Sequence, residues 1–275
     1  MPVTDFLQDW QAYADRREER LRSAVGYLAI TAIHWLSTTP ERFTDVPGQW
    51  CQDERGTTVT LAPGETLTLD DDVLTTGPHV LGPLDYTGLT ISFDGGTAEV
   101  ADRGGTAIVR PRRPDSATLR AYRGTPRYPA DARWVLSGRF EPYDEPVAAP
   151  DAVGEVVFEH EGAGHRLVAW GEDDGSLWIL FRDATSGVTT YPANRQILVA
   201  PPTPDGTVTI DFNRAINMPC AYTDFVTCPL PPAANTLPFA VEAGEQVPTM
   251  ADADRVPSGT DGERQTVSGG PSRRR

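Results

Sequence analysis

TTVTLAPGETLTLDDDVLTTGPHVLGPLDYTGLTISFDGGTAEVADRGGTAIV, residues 57–109, decides the fold class. Short runs in which apolar and polar residues alternate (TVTL, TLTL, GLTISF, TAEVAD and TAIVR) are separated by Pro63-Gly64, Gly77-Pro78, Asp94-Gly95 and Gly104-Gly105. Alternation of period two puts one face of each strand on a core, and Asp94-Gly95 is a tight-turn signal. The stretch predicts antiparallel sheets in a sandwich or barrel-like arrangement, hence a mostly β protein. Asp70-Asp71-Asp72 lacks the ligand spacing and distal glutamate of an EF-hand and reads as a solvated turn; no metal and no cofactor is expected.

Upstream, residues 4–22 place Phe6, Trp10, Tyr13, Arg17 and Leu21 at helical spacing, with Thr4 as the expected N-cap and Asp5 in the first turn. This predicts an N-terminal amphipathic helix over 1–23. AVGYLAITAIHWL, residues 24–36, is apolar apart from Thr31 and His34 and reads as a buried strand or strand pair, with His34 as a hydrogen-bonded core residue. The first β-rich part is expected over 24–146 and a second over 147–247, with a Cys/Pro-rich cap. The tail, 248–275, has almost no apolar residues and is predicted to be disordered.

Composition removes several chemistries. The net charge of -15 argues against nucleic acid. The 24 cationic residues are all arginine, so no lysine Schiff base or P-loop lysine is possible. Without an apolar run of bilayer length or a leader-like N-terminus, a cytoplasmic location without membrane contact is expected. Three cysteines are expected to stay thiols there. Oligomeric state has no signature. Two further features stand out. Arg110, Arg112, Arg113, Arg120, Arg123, Arg127 and Arg133 form the basic patch of the body, read either as salt-bridging to surplus carboxylates or as an anion clamp. His160 and His165 flank the tip of a hairpin over 153–170, a weak metal pattern.

The densest polar order lies between Trp178 and Glu245. Strands are expected at 178–181, 196–200 and 207–212, which would bring Asp183 and Arg195 to one end of a hairpin. Asp183, Thr185, Tyr191, Arg195, Asn213 and Asn217 offer a carboxylate, a guanidinium, amides and hydroxyls suited to hold a small polar or anionic ligand, with Arg195 as anchor. The competing expectation is that they satisfy one another and tie down the cap. An enzyme using Asp183, Tyr191 or Cys220, a hydrolase or transferase, is the alternative function, and a structural or interaction module is a third. Cys220 and Cys228 are read as nucleophile and resolving thiol, disulfide, or buried thiols.

The order FxDxTxGxxTY (Phe181, Asp183, Thr185, Gly187, Thr190, Tyr191), Arg195, DFNxAxNxxCA (Asp211 to Ala221) and CPLPPxxNxLPxAxxAGE (Cys228 to Glu245) resembles the bacterial and archaeal family catalogued as domain of unknown function 1684. Met218 stands where that family usually has proline. The resemblance implies no particular activity.

Overall fold

The alternating runs of 57–109 form antiparallel strands, as their period requires. The computed structural model describes residues 3–144 and 149–251. A six-stranded sheet runs in the order His34–Trp35, Ala107–Arg112, Gly96–Asp102, Leu89–Phe93, Leu67–Leu69 and Asp72–Leu74. A four-stranded sheet is built from Glu41–Arg42, Gln49–Asp53, Gly56–Leu61 and Gly77–Gly82. Trp50, Val59, Leu61, Leu67, Ile91, Val100 and Val109 pack between them in one core. Asp94-Gly95 makes the predicted turn, with Phe93 paired to Gly96 and Gly95 at φ 77°.

The second β-rich part is one seven-stranded antiparallel sheet. Its order is Thr207–Asp211, Val135–Pro142, Ala152–His160, Ala163–Gly171, Leu177–Phe181, Arg195–Val199 and Ile216–Asn217. Val156, Leu167, Ile179, Phe181, Ile197, Ile210 and Phe212 fill its concave side, and Leu237, Val241 and Ala243 of the cap close over them.

Helix α1, Val3–Leu21, begins before Thr4, so Thr4 lies inside the first turn instead of capping it. Its inner face docks on the seven-stranded half: Trp10 Nε1 donates to Asn213 O at 3.2 Å and Tyr13 OH to Arg214 O at 3.1 Å.

Three expectations change. The 24–36 segment is a 3-10 turn, Tyr27–Ala29, followed by irregular backbone and a two-residue strand, His34–Trp35. Leu28, Ala29 and Ile30 are at most 1% exposed, so the apolar run reported burial correctly but carried no period to fix geometry. Thr249–Met250, within the expected tail, pairs as a strand with Tyr122–Gly124. The rest of the expected disordered tail lies outside the described residues. Cys220 and Cys228 are disulfide-bonded with their Cα atoms 6.0 Å apart, a separation suited to bridging; Cys51 stays a buried free thiol. Among the described residues, no helix is long and apolar enough to cross a membrane.

Candidate functional site

The strand pair Leu177–Phe181 and Arg195–Val199 puts Arg195 opposite Phe181, so Asp183, two residues on, reaches its guanidinium. Arg195 Nη2 lies 2.7 Å from Asp183 Oδ2, with side chains 1% and 0% exposed. The rest of the fork donates to the carbonyls of Val241, Ala243 and Glu245, which pins the cap to the sheet. Asp183 Oδ1 accepts from Thr185 N and Oγ1 and from Val241 N. One carboxylate faces one guanidinium, and the centre is neutral.

The other predicted ligands do not converge on it. Asn213 Nδ2 donates to Asp131 O and Asp211 Oδ1, while its Oδ1 accepts from Asp131 N, which stitches two strand ends together. Asn217 Nδ2 donates to Gln246 O at 2.8 Å. Tyr191 is half-buried and has partners of its own. Cys220 Sγ is bonded to sulfur and offers no thiolate.

A second buried centre was missed in the sequence. Glu245 is 0% exposed and receives Arg17 Nε at 3.1 Å and Arg127 Nη2 at 3.0 Å on one oxygen. Its other oxygen accepts from Asn217 N at 2.7 Å and Tyr222 OH at 3.0 Å. From there hydroxyls run outward: Tyr222 OH meets Thr125 Oγ1 at 3.2 Å, Thr125 Oγ1 meets Tyr122 OH at 2.7 Å, and Tyr122 OH donates to Glu18 Oε2 at 2.8 Å. Burial, then the Glu245 carboxylate, raises the Tyr222 pKa well above its ordinary value. Burial also dominates the rise at Tyr122. Both phenols therefore stay neutral donors at neutral pH. The available signal was Arg17: a charged residue on the apolar stripe of α1 needs a buried partner.

This chain ends in a groove. About 460 Å³ lies between α1 and the ribbon of Tyr122–Gly124 and Thr249–Met250, walled by Trp10, Asp15 and Glu18 on the helix side and by Arg123, Thr125 and Arg127 on the other. Opposite charges thus face each other across an open cleft.

The remaining sequence candidates resolve as structure. His34 Nε2 lies 2.8 Å from Asp45 Oδ1 and stacks on Phe43. His160 and His165 both pack on Phe239, with ring centroids 4.3 and 4.8 Å from it. Among the described residues, no group of His, Cys, Asp and Glu side chains could hold a metal ion. In the basic patch Arg110 and Arg112 pair with Glu99, Arg127 with Glu245, and Arg133 with Asp131.

Fold and centres together define a mostly β protein whose C-terminal cap is tied to a curved sheet by buried ion pairs. Residues 120–246 match the family model described as a protein of unknown function, DUF1684, the family that the motif order resembles. Arg127, Asp183, Arg195 and Glu245 all fall within that segment, whereas Arg17 precedes it. An uncharacterized protein of Haloarcula marismortui, solved by solution NMR, is 29% identical, with 44% of this chain and 75% of that chain covered and a TM-score of 0.39. Among curated proteins, none matches.

Proposed function

We propose that the protein is a binding protein for a small zwitterionic molecule, of the amino-acid or short-peptide class, held in the groove between α1 and the ribbon at 122–127. The supporting observation is the charge arrangement of that groove. Asp15 and Glu18 stand on one wall and Arg123 and Arg127 on the other, with Thr125 also lining the groove and its hydroxyl linked through Tyr222 to Glu245. A molecule with an ammonium and a carboxylate matches both walls at once, and the guanidinium of exposed Arg123 takes over the role of anion anchor.

In this reading Asp183, Thr185, Arg195, Asn213 and Asn217 are framework. Apart from the Arg195 Nε and the Asn217 Oδ1, their polar side-chain atoms have partners, and a ligand at the Arg195 Nη groups would have to displace the Asp183 carboxylate and three carbonyls. The same occupancy weighs against an enzyme using Asp183.

Thermal-shift and calorimetric titration with free amino acids and dipeptides tests the reading, with singly charged analogues as controls. The expected result is a rise in Tm with zwitterions alone, lost in Arg123→Ala, whose own melting matches wild type because Arg123 is exposed. Binding by Arg123→Ala equal to wild type, or no response to any zwitterion, would overturn it.

A further inference from the structure

Three arginines meet one carboxylate on the six-stranded sheet. Register places Arg110 directly across from Glu99 and Arg112 across from Thr97, two positions along the same face. Arg110 Nη1 lies 3.2 and 3.1 Å from the two Glu99 oxygens, and Arg112 Nη2 lies 2.7 Å from Oε2. Arg103, just beyond the strand end, donates Nη2 to Oε1. Side-chain exposures are 8%, 7% and 13% for Arg103, Arg110 and Arg112, and 15% for Glu99. Among the described residues, Glu99 is the carboxylate that pairs with them.

Three positive charges against one negative leave an excess of two in a setting with little water. The Nε atoms of all three arginines are buried without a hydrogen-bond partner, so their polar groups are under-used as well. Ordinary ion pairing raises an arginine pKa. That of Arg110 is instead lowered, by burial first, with the Arg103 and Arg112 charges adding to it against Glu99. An uncompensated charge held this far from solvent is costly, and a counter-anion relieves the cost.

The surroundings supply further donors. Glu99 also faces Thr90, Thr97 faces Ser92, and Ser92 faces Thr68, so the same sheet face carries four hydroxyls leading away from the arginines, Thr97 nearest and Thr68 farthest. Thr90 and Ser92 are exposed, and Thr68 and Thr97 half-buried.

We propose that this face binds a small oxyanion carrying about two negative charges, a phosphate group, on Arg110 and Arg112 with the Thr97 and Ser92 hydroxyls at its rim. A phosphate carries about -1.5 to -2 at neutral pH, which balances the excess, and its oxygens suit guanidinium forks. The local count matters because the whole chain is at -15 and repels anions elsewhere. The site is separate from the α1 groove and does not depend on it.

Calorimetric titration of the full chain with inorganic phosphate at pH 7.5 tests the proposal, with folding of each variant checked by circular dichroism. Saturable binding is expected in wild type. Arg112→Gln removes one fork and should weaken it by about tenfold or more. Glu99→Gln raises the excess from two charges to three and should tighten it several-fold, a sign that a merely structural cluster would not produce. Should either variant fail to fold, exposed Ser92→Ala and the charge-preserving Arg112→Lys carry the test, each expected to weaken binding. Arg123→Ala, in the other groove, should leave it unchanged. No saturable binding by wild type, or binding that none of the Glu99, Arg112 and Ser92 variants moves, overturns the proposal.

Discussion

Asp183 in the seven-stranded half and Glu99 in the six-stranded half are both carboxylates under arginine, yet their surroundings are opposite. Asp183 faces one guanidinium, is fully buried, and both Nη groups of Arg195 find acceptors in Asp183 and the cap, with the Arg195 Nε left unpartnered. Glu99 faces three guanidiniums, keeps 15% of its side chain exposed, and leaves three Nε atoms unpartnered. Glu245 lies between these extremes, with two arginines and the hydroxyl chain to the groove. The contrast teaches that a dense polar motif is not by itself a place for a ligand. Where charges balance internally, the motif is a strut. Where they do not, a ligand has something to complete.

The sharpest way to break the comparison is at the strut. Arg195→Ala leaves the Asp183 carboxylate buried without its cation and frees three cap carbonyls. A loss of about 3–5 kcal/mol is expected, read as a fall in the denaturation midpoint. A loss under about 1 kcal/mol, the size of an exposed pair, would mean that Arg195 is no strut and would reopen it as a ligand anchor. Next in size is the covalent tie of the same cap. Cys220 and Cys228 are eight residues apart, so opening the disulfide with a dithiol should cost about 2–3 kcal/mol through the entropy of the unfolded chain. The double variant Cys220→Ser with Cys228→Ser should melt like the reduced protein and no longer respond to dithiol.

Legibility followed the reach of each signal. Alternation in 57–109 is local, so strands and turns could be read, whereas the apolar run of 24–36 announced burial without geometry. Asp183 and Arg195 are 12 positions apart on one hairpin, and their meeting could be foreseen from strand pairing. Glu245 and Arg17 are separated by 228 positions, and only packing of α1 against the cap joins them. The Glu99 centre is half visible: Arg110 and Arg112 stand out as basic, but nothing local in TAEVAD singles out Glu99, and only register sets it across from Arg110. The disulfide was one of three open readings, because two cysteines around a proline-rich loop fit all of them.

The smallest expected effect bears on the open centre and runs through pH. Burial alone would raise the Glu99 pKa, but Arg110, then Arg112 and Arg103, outweigh it and hold the carboxyl below its ordinary value. A depressed pKa means that the carboxylate contributes stability above the unfolded-state value of about 4.3, and that the contribution is lost as pH falls through the folded value. Glu99→Gln never has it. At pH 7 the variant should therefore be less stable by about 1–2 kcal/mol, since glutamine keeps the shape and one acceptor. The gap in Tm between the two proteins should then close as the pH is taken from 7 toward 2.5. A gap that stays constant into acid would mean that the Glu99 charge does not hold the arginines, and a variant more stable than wild type at every pH would mean that the cluster is not short of negative charge at all.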